Sequence, residues 1–99
     1  MPYKIIFHPL ADKEFDEGYN WYEDRLEGLG NRFEEIIDKV ISTISKTPLL
    51  YPKKKDNYRE AKVNTFPYLI IYKINSKRKV ILISAIHHTS KNPRKKYHK

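Results

Sequence analysis

Residues 66–88 read FPYLIIYKINSKRKVILISAIHH, in which two apolar runs enclose a polar turn. The runs are YLIIY and VILI, and the turn contains Asn75 and Ser76. Nearly continuous apolar runs of this length indicate strands in the middle of a sheet. We therefore predict a β-hairpin with strands over residues 66–75 and 79–88.

Two further strands precede this hairpin in the chain. Residues 58–64 predict a strand that is more polar than the other two, and it follows a basic connection over residues 49–57. Residues 4–8 alternate weakly between apolar and polar side chains, and Pro9 ends the short strand that they predict. The chain thus offers four strands for one sheet.

The region between the first strand and the basic connection has the periodicity of two helices. Residues 10–27 predict the first helix, and residues 31–46 predict the second. The apolar face of the first helix consists of Phe15, Tyr19, Tyr22 and Leu26. The apolar stripe of the second helix consists of Phe33, Ile36, Ile37, Val40, Ile41 and Ile44.

The order of these elements predicts the fold class. Gly28 and Gly30 separate the two helices, and glycine favours the left-handed conformation that follows a helix. Asn31 and Glu34 have the spacing of a capping box, so we expect the second helix to start at Asn31. The order β-α-α-β-β-β predicts a two-layer α+β fold, with a helical hairpin packed on a mainly antiparallel sheet. The length fits one domain, 1–99, with a basic tail from about residue 89.

Charge divides the chain into two unequal halves. The whole chain carries 20 Lys and Arg against 12 Asp and Glu, a formal net charge of +8. Residues 1–48 hold six basic and ten acidic side chains, a net charge of −4, whereas residues 49–99 hold fourteen and two, a net charge of +12. A basic half of this kind attracts polyanions or acidic protein segments, although lysine-rich surfaces are often simply solvated.

The composition also excludes several classes of protein. The chain has no cysteine, so disulfide scaffolds, zinc–thiolate sites and cysteine nucleophiles are ruled out. The four histidines lack the spacing of a metal site, and we expect neither a metal nor another cofactor. The apolar runs are too short to span a membrane, and the N terminus lacks a stretch of signal-peptide length. We therefore expect a cytoplasmic protein without a membrane partner.

The basic half carries side chains from which a metal-free ribonuclease could be built. RNA cleavage needs a base for the 2′-hydroxyl, a cation beside the phosphate and an acid for the leaving oxygen. The catalytic candidates are Glu60, Lys62 and His88, because Glu60 and Lys62 share a strand face and histidine titrates near neutral pH. The candidates for binding a target or RNA are Lys53, Lys54, Arg59, His87, Arg94 and Tyr97. The simpler alternative is that Glu60 and Lys62 form an ordinary polar edge of the sheet.

Three segments form an ordered set along the chain. The first is YKIIF near the N terminus, followed by Pro9 and Ala11. The second runs from YRE at 58–60 to FPYLIIY at 66–72, and the third runs from ISAIHH at 83–88 to the basic exit around NPR. Together they resemble the RelE/ParE family of toxins from bacterial type II toxin–antitoxin systems. The resemblance covers almost the whole chain and is closer to the ParE type, of which the Phe-Pro-Tyr core is typical.

The resemblance implies a toxin that is neutralised by an antitoxin with an acidic, partly helical tail, in a hetero-oligomer. ParE-type members bind DNA gyrase and trap its cleaved complex, whereas RelE-type members cut messenger RNA on the ribosome. Compared with RelE-type enzymes, Lys62 matches a catalytic basic position, but Glu60 stands in place of a lysine. Leu69 and His88 stand in place of two arginines. Some relatives use a Glu, Arg and His set instead, which Glu60, Arg59 and His88 could supply.

Three functions stay open at this point. The Phe-Pro-Tyr hairpin and the apolar Leu69 favour a ParE-like toxin that arrests growth by binding gyrase and is not itself an enzyme. Lys62, His88 and the basic half favour a RelE-like, ribosome-dependent mRNA endoribonuclease. The lysine patches alone would suffice for a non-toxic nucleic-acid-binding module. The gyrase-binding toxin is our main expectation, and the other two are alternatives.

Overall fold

The three-dimensional structure is a computed structural model that describes residues 2–97. In this range the strands are β1 (Lys4–Phe7), β2 (Lys53–Lys55), β3 (Tyr58–Val63), β4 (Tyr68–Asn75) and β5 (Val80–His88). The helices are α1 (Pro9–Arg25) and α2 (Leu29–Lys46), and a short 3-10 helix at Pro93–Lys95 follows β5. The elements succeed one another as β1-α1-α2-β2-β3-β4-β5.

The strands form one sheet in the order β1-β5-β4-β3-β2. The pairs from β2 to β5 are antiparallel, whereas β1 pairs parallel to β5, so the sheet is mixed. The predicted α+β fold, with a helical hairpin on a mainly antiparallel sheet, is confirmed. One strand was missed: β2 lies in the connection 49–57, where the left-handed Asp56 (φ 51°) lets the chain turn back onto β3.

The core lies between the helices and one face of the sheet. The stripe of α2 faces the sheet with Phe33, Ile37, Ile41 and Ile44 buried. On the side of α1, the rings of Tyr22, Phe33, Phe66 and Tyr68 pack together with centroids 4.8–6.4 Å apart. Such aromatic clusters remove a large apolar area from water. Leu26, predicted on the apolar face of the first helix, is 64% exposed because α1 ends at Arg25.

The second helix starts two residues earlier than the sequence predicts. Its N-cap is Gly28 in the left-handed conformation (φ 88°), with no side-chain cap. The carboxylate of Glu23 instead accepts hydrogen bonds from the backbone N–H groups of Gly28 and Gly30. Asn31 does not cap the helix; its Oδ1 accepts a hydrogen bond from the Tyr19 hydroxyl at 2.6 Å. The predicted capping box is therefore wrong, because a carboxylate from α1 meets the first N–H groups of α2.

A β-bulge in β5 determines which side chains face the helices. Ile71 pairs with Ala85 whereas Tyr72 pairs with Ile83, which leaves Ser84 as the extra residue. An extra residue reverses the alternation of every side chain that follows it. Past the bulge, His88 therefore lies on the helix-covered face. Glu14 of α1 holds this region, because its Oε1 accepts a hydrogen bond from the N–H of Ile86 at 3.0 Å.

Candidate functional site

The face of the sheet opposite the helices carries most of the sequence-predicted candidates. We call it the open face; its side chains include Tyr58, Glu60, Lys62, Leu69, Ile71, Ala85 and His87. The strand register sets Lys62 opposite Leu69, and Leu69 opposite His87. Lys62, Leu69 and His87 therefore form one row across three strands, in which the apolar Leu69 separates the two polar side chains.

The chain after β5 folds back over the open face. We call residues 89–97 the tail. The ring of Tyr97 lies 5.1 Å from the ring of Tyr58, and it packs with the apolar cluster formed by Tyr58, Ile71 and Ala85. The Nζ of Lys55 lies 5.3 Å from the centroid of the Tyr97 ring, within the range of a cation–π interaction. The tail thus covers the centre of the open face.

Glu60 lies beneath the tail and is bound by it. Its side chain is 8% exposed, and Oε2 accepts a hydrogen bond from the Tyr97 hydroxyl. The same oxygen lies 3.0 Å from the Nζ of Lys96. Burial raises the pKa of Tyr97 above its ordinary value, and the Glu60 carboxylate raises it further, so this phenol stays protonated and donates. The Glu60 carboxylate is therefore engaged by two tail residues.

The two consecutive histidines lie on opposite faces of the sheet. His87 is on the open face and is 3% exposed; burial lowers its pKa below 6.5, so the ring is neutral at pH 7. His88 pairs with Tyr68 and its ring lies 5.0 Å from the Tyr68 ring on the helix-covered face. Its Nδ1 accepts a hydrogen bond from the N–H of Ser90 at 3.1 Å.

The predicted catalytic set is therefore not assembled in one place. The structure brings Glu60 and Lys62 together on the open face, and it separates His88 from both of them. The histidine that accompanies Glu60 and Lys62 is His87. The sequence pattern could not reveal which histidine lies on the open face. Side chains alternate regularly along a strand, but the bulge at Ser84 reverses that alternation in β5.

Arg59 is also directed away from the open face. It is the register partner of Tyr72, whose side chain is buried in the core beneath the helices. Its Nη1 donates a hydrogen bond to the carbonyl oxygen of Tyr51 at 2.7 Å, and the Tyr72 hydroxyl donates to the carbonyl oxygen of Pro48 at 2.6 Å. Both side chains thus hold the connection between α2 and β2. The guanidinium of Arg59 does not lie beside the Glu60 carboxylate, as the Glu, Arg and His set of some relatives would require.

The remaining basic candidates are exposed around the edge of the sheet. Lys53, Lys54 and Arg94 are exposed, and Lys54 lines a groove of about 650 Å³ with Lys39 and Lys62. We call it the basic edge groove. Lys39 was not among the sequence-predicted candidates, although its place outside the apolar stripe of α2 predicts an exposed side chain. Glu60 also lines this groove, but its carboxylate is paired with Lys96.

The outer edge of β3 borders the basic edge groove. The N–H of Glu60 donates to the carbonyl oxygen of Pro52 at 3.1 Å, and β2 pairs only with the first residues of β3. From Ala61 to Val63 the outer backbone edge has no partner strand within residues 2–97. An unpaired edge of this kind can accept an added strand.

The described part of the chain contains neither a cluster of metal ligands nor a helix that could cross a membrane. Across residues 2–97, no group of three or more His, Asp or Glu side chains is arranged to hold a metal ion. His98 lies outside these residues. The helices in the same range are too short or too polar to cross a membrane.

Two solved toxin–antitoxin structures contain the same architecture. One is the RelBE2 complex from Mycobacterium tuberculosis, with a TM-score of 0.64 and 16% identity, over 89% of this chain and 99% of that chain. The other is the chromosomal ParDE system from P. aeruginosa, with a TM-score of 0.63 and 12% identity, over 87% of this chain and 95% of that chain. The fold is therefore that of the RelE/ParE class of toxins.

The family follows from a second comparison. The family model described as "ParE toxin of type II toxin-antitoxin system, parDE" matches residues 5–93, so the chain belongs to this toxin family. The predicted membership of the RelE/ParE family is confirmed. Among curated protein sequences, none matches the chain.

Proposed function

We propose that the chain acts as a ParE-type toxin, which arrests growth by binding DNA gyrase in the cytoplasm without cleaving nucleic acid itself. The observation that carries the proposal is the row Lys62–Leu69–His87 on the open face. A phosphate bound there would meet an apolar side chain between the only two polar groups of the row. The transition state of phosphoryl transfer carries negative charge and needs a cation beside the phosphate, where this chain has Leu69.

The other groups required for RNA cleavage support the same conclusion. The Glu60 carboxylate accepts a hydrogen bond from Tyr97 and is paired with Lys96, so it is not available as a general base in this arrangement. Arg59 and His88 are directed to the helix-covered face. The part of the open face that the tail leaves accessible, with the half-buried Leu69 beside the exposed Lys62, therefore has the composition of a binding surface.

We further propose that an acidic segment of the antitoxin occupies the basic edge groove. Lys39, Lys54 and Lys62 line the groove, and the unpaired edge of β3 offers backbone groups beside them. An extended segment could pair with this edge, and its carboxylates could then contact the lysines. Charge complementarity of this kind mainly speeds the encounter of the two proteins.

Pulse-labelling in bacterial cells tests the proposed target. DNA synthesis and protein synthesis are followed in parallel during the first minutes after induction of the toxin. We expect DNA synthesis to fall first, because gyrase inhibition blocks replication directly. An early fall in protein synthesis, with DNA synthesis still normal, would contradict the proposal.

A second candidate is a ribosome-dependent endoribonuclease. It is favoured by the presence of Glu60, Lys62 and His87 on one face, next to the Tyr97 hydroxyl. If the tail were displaced on the ribosome, Glu60 could serve as a base. This candidate requires that purified protein cut ribosome-bound message, and that His87→Ala lower the rate by about 10²–10⁴, the usual contribution of acid–base catalysis. His88→Ala is the matched control on the other face.

A further inference from the structure

A groove of about 540 Å³ lies on the helix-covered side, between α1 and the end of the sheet that carries His88. We call it the α1 groove. Its walls include Glu14, Glu17, Trp21 and Tyr22 of α1, together with Tyr68 and His88 of the sheet. None of the functions proposed above uses it, because they concern the open face and the edge of β3.

Two tyrosine side chains that are mostly buried line this groove with hydroxyl groups that have no hydrogen-bond partner among the described residues. Tyr68 is 7% exposed and Tyr22 is 8% exposed, and neither hydroxyl has a hydrogen-bond partner among residues 2–97. The Tyr68 hydroxyl passes close to Gly18, where a Cβ would lie only 2.9 Å from its oxygen. Hydroxyl groups that line a groove and have no partner in the described part of the chain offer both a donor and acceptor positions to a polar occupant.

The groove is acidic although the protein as a whole is basic. Glu14 and Glu17 line it, whereas Lys91 is the lysine in its lining and is exposed. The formal net charge of the whole chain is +8. Burial raises the pKa of Tyr68 to about 12, and the negative charges of Glu17 and Glu14 contribute to this rise. The electrostatic surroundings of the hydroxyl thus favour a cation.

The walls are suited to a flat cation. Trp21, Tyr22 and Tyr68 present aromatic rings, and the chain itself shows that the Trp21 ring can hold a guanidinium, since Cζ of Arg25 lies 3.9 Å from its centroid. A guanidinium group stacks on aromatic rings and spreads five donors over separate acceptors, whereas an ammonium is a compact charge that is more strongly hydrated. The Glu17 carboxylate and the two hydroxyls provide acceptors of the required kind, and the Glu14 carboxylate, which accepts from the N–H of Ile86, adds negative charge.

We infer that the α1 groove binds the arginine side chain of a protein partner, with the guanidinium held between the Glu17 carboxylate and the Tyr22 and Tyr68 hydroxyls, in the negative field of Glu14. This site is separate from the basic edge groove. A partner that binds here would contribute an arginine, whereas the partner proposed for the basic edge groove contributes acidic side chains. The inference does not depend on the identity of the toxin's target.

Fluorescence of Trp21 tests the inference directly, because it is the only tryptophan in the chain. The probe is N-acetyl-L-arginine methylamide, titrated into the full-length protein at constant ionic strength. The corresponding derivatives of citrulline, which is a neutral analogue, and of lysine serve as controls. We expect a saturable change in emission with the arginine derivative, and a much weaker response to the other two. Equal responses to all three, or no saturable response, would overturn the inference.

Two variants test the assigned contacts. Tyr68→Phe removes one hydroxyl and keeps the ring, and we expect affinity for the arginine derivative to fall about fivefold. Because that hydroxyl has no hydrogen-bond partner within residues 2–97, the same change should leave the free energy of unfolding without a ligand almost unaltered. Glu17→Gln removes one carboxylate from an exposed position, and affinity should fall about tenfold.

Glu35→Gln provides the matched control for the loss of charge. Glu35 is exposed on α2 and does not line the α1 groove. We expect its affinity for the arginine derivative to equal that of the unaltered protein. A loss as large as that of Glu17→Gln would mean that only the overall charge matters, and it would overturn the assignment of a site.

Discussion

The hydroxyl of Tyr97 donates a hydrogen bond to the carboxylate of Glu60, which lies 37 residues earlier in the chain. The bond joins the last described residue of the tail to the middle of β3. Lys96 approaches the same carboxylate oxygen to 3.0 Å. Because Glu60 is almost fully buried, its charge needs a partner, which the Lys96 ammonium provides. The hydrogen bond and the ion pair together hold the tail over the open face.

Loss of the Tyr97 hydroxyl should loosen the tail. We expect Tyr97→Phe to lower the free energy of unfolding by about 1 kcal/mol, since one hydrogen bond to a carboxylate is lost at a partly exposed position. Trypsin should also cleave after Lys91 faster in the variant. Denaturant unfolding and the rate of limited proteolysis measure the two effects. Tyr3→Phe is the control, because the Tyr3 hydroxyl has no hydrogen bond within residues 2–97. Equal cleavage rates in all three proteins would refute the role assigned to the contact.

Burial of His87 should make the protein less stable in acid. Burial lowers the pKa of His87 in the folded state, and Lys96 and Lys91 lower it further, whereas Glu14 opposes the shift. As the pH falls below about 6.5, the unfolded chain therefore binds a proton more readily than the folded chain, and the free energy of unfolding decreases. We expect His87→Gln to reduce the slope of stability against pH between about pH 7 and pH 5.5.

Denaturant unfolding at a series of pH values measures this slope. His88→Gln is the matched control, since His88 lies on the opposite face and is half-buried. An unchanged slope in His87→Gln would show that His87 does not keep a lowered pKa in solution.

Gly18 should not tolerate a side chain, although it lies inside α1. A Cβ there would come within 2.9 Å of the Tyr68 hydroxyl oxygen and 3.0 Å of Cζ of Phe33. We expect Gly18→Ala to destabilise the protein by about 1–3 kcal/mol, which outweighs the gain of about 1 kcal/mol from helix propensity. In a Tyr68→Phe background the nearer contact is gone, so the penalty should be smaller. Thermal or denaturant unfolding of the four proteins measures the coupling; a stabilising Gly18→Ala would contradict the predicted packing.

Substitution of Arg59 should lower the stability of the protein without changing its binding to the target. Its guanidinium donates to the carbonyl oxygen of Tyr51, and a lysine is not matched to that geometry. We expect Arg59→Lys to lower the free energy of unfolding by about 1–2 kcal/mol, as expected for a lost hydrogen bond to a charged group. Inhibition of gyrase per folded molecule should stay unchanged at a temperature where the variant is fully folded. A specific loss of inhibition, without a loss of stability, would place Arg59 in the binding surface.

The sequence predicted the helices and the long strands because their apolar patterns are strong. The stripe of α2 and the runs in β4 and β5 bury side chains as expected. β2 was missed because three consecutive lysines have no apolar pattern, and only the turn at Asp56 brings them beside β3. The spacing of Asn31 and Glu34 predicts a capping box, but a local pattern cannot reveal that Glu23 of the preceding helix already meets the first N–H groups of α2.

The candidate site was only partly accessible to the same reasoning. Glu60 and Lys62 share a face, as strand alternation predicts. The positions of His87 and His88 depend on the bulge at Ser84, which has no signature in the local sequence. The contact between Tyr97 and Glu60 depends on the path of the tail, and strand periodicity contains no information about that path.

The most direct test of the central claim uses purified gyrase and the purified toxin. Supercoiling of relaxed plasmid and the amount of cleaved DNA–gyrase complex are measured as the toxin is raised to micromolar concentrations. The proposed function predicts that supercoiling is inhibited, that the cleaved complex accumulates, and that the antitoxin reverses both effects. If gyrase is unaffected while the same preparation cuts ribosome-bound message, the toxin is a ribonuclease and the proposal of gyrase binding is wrong.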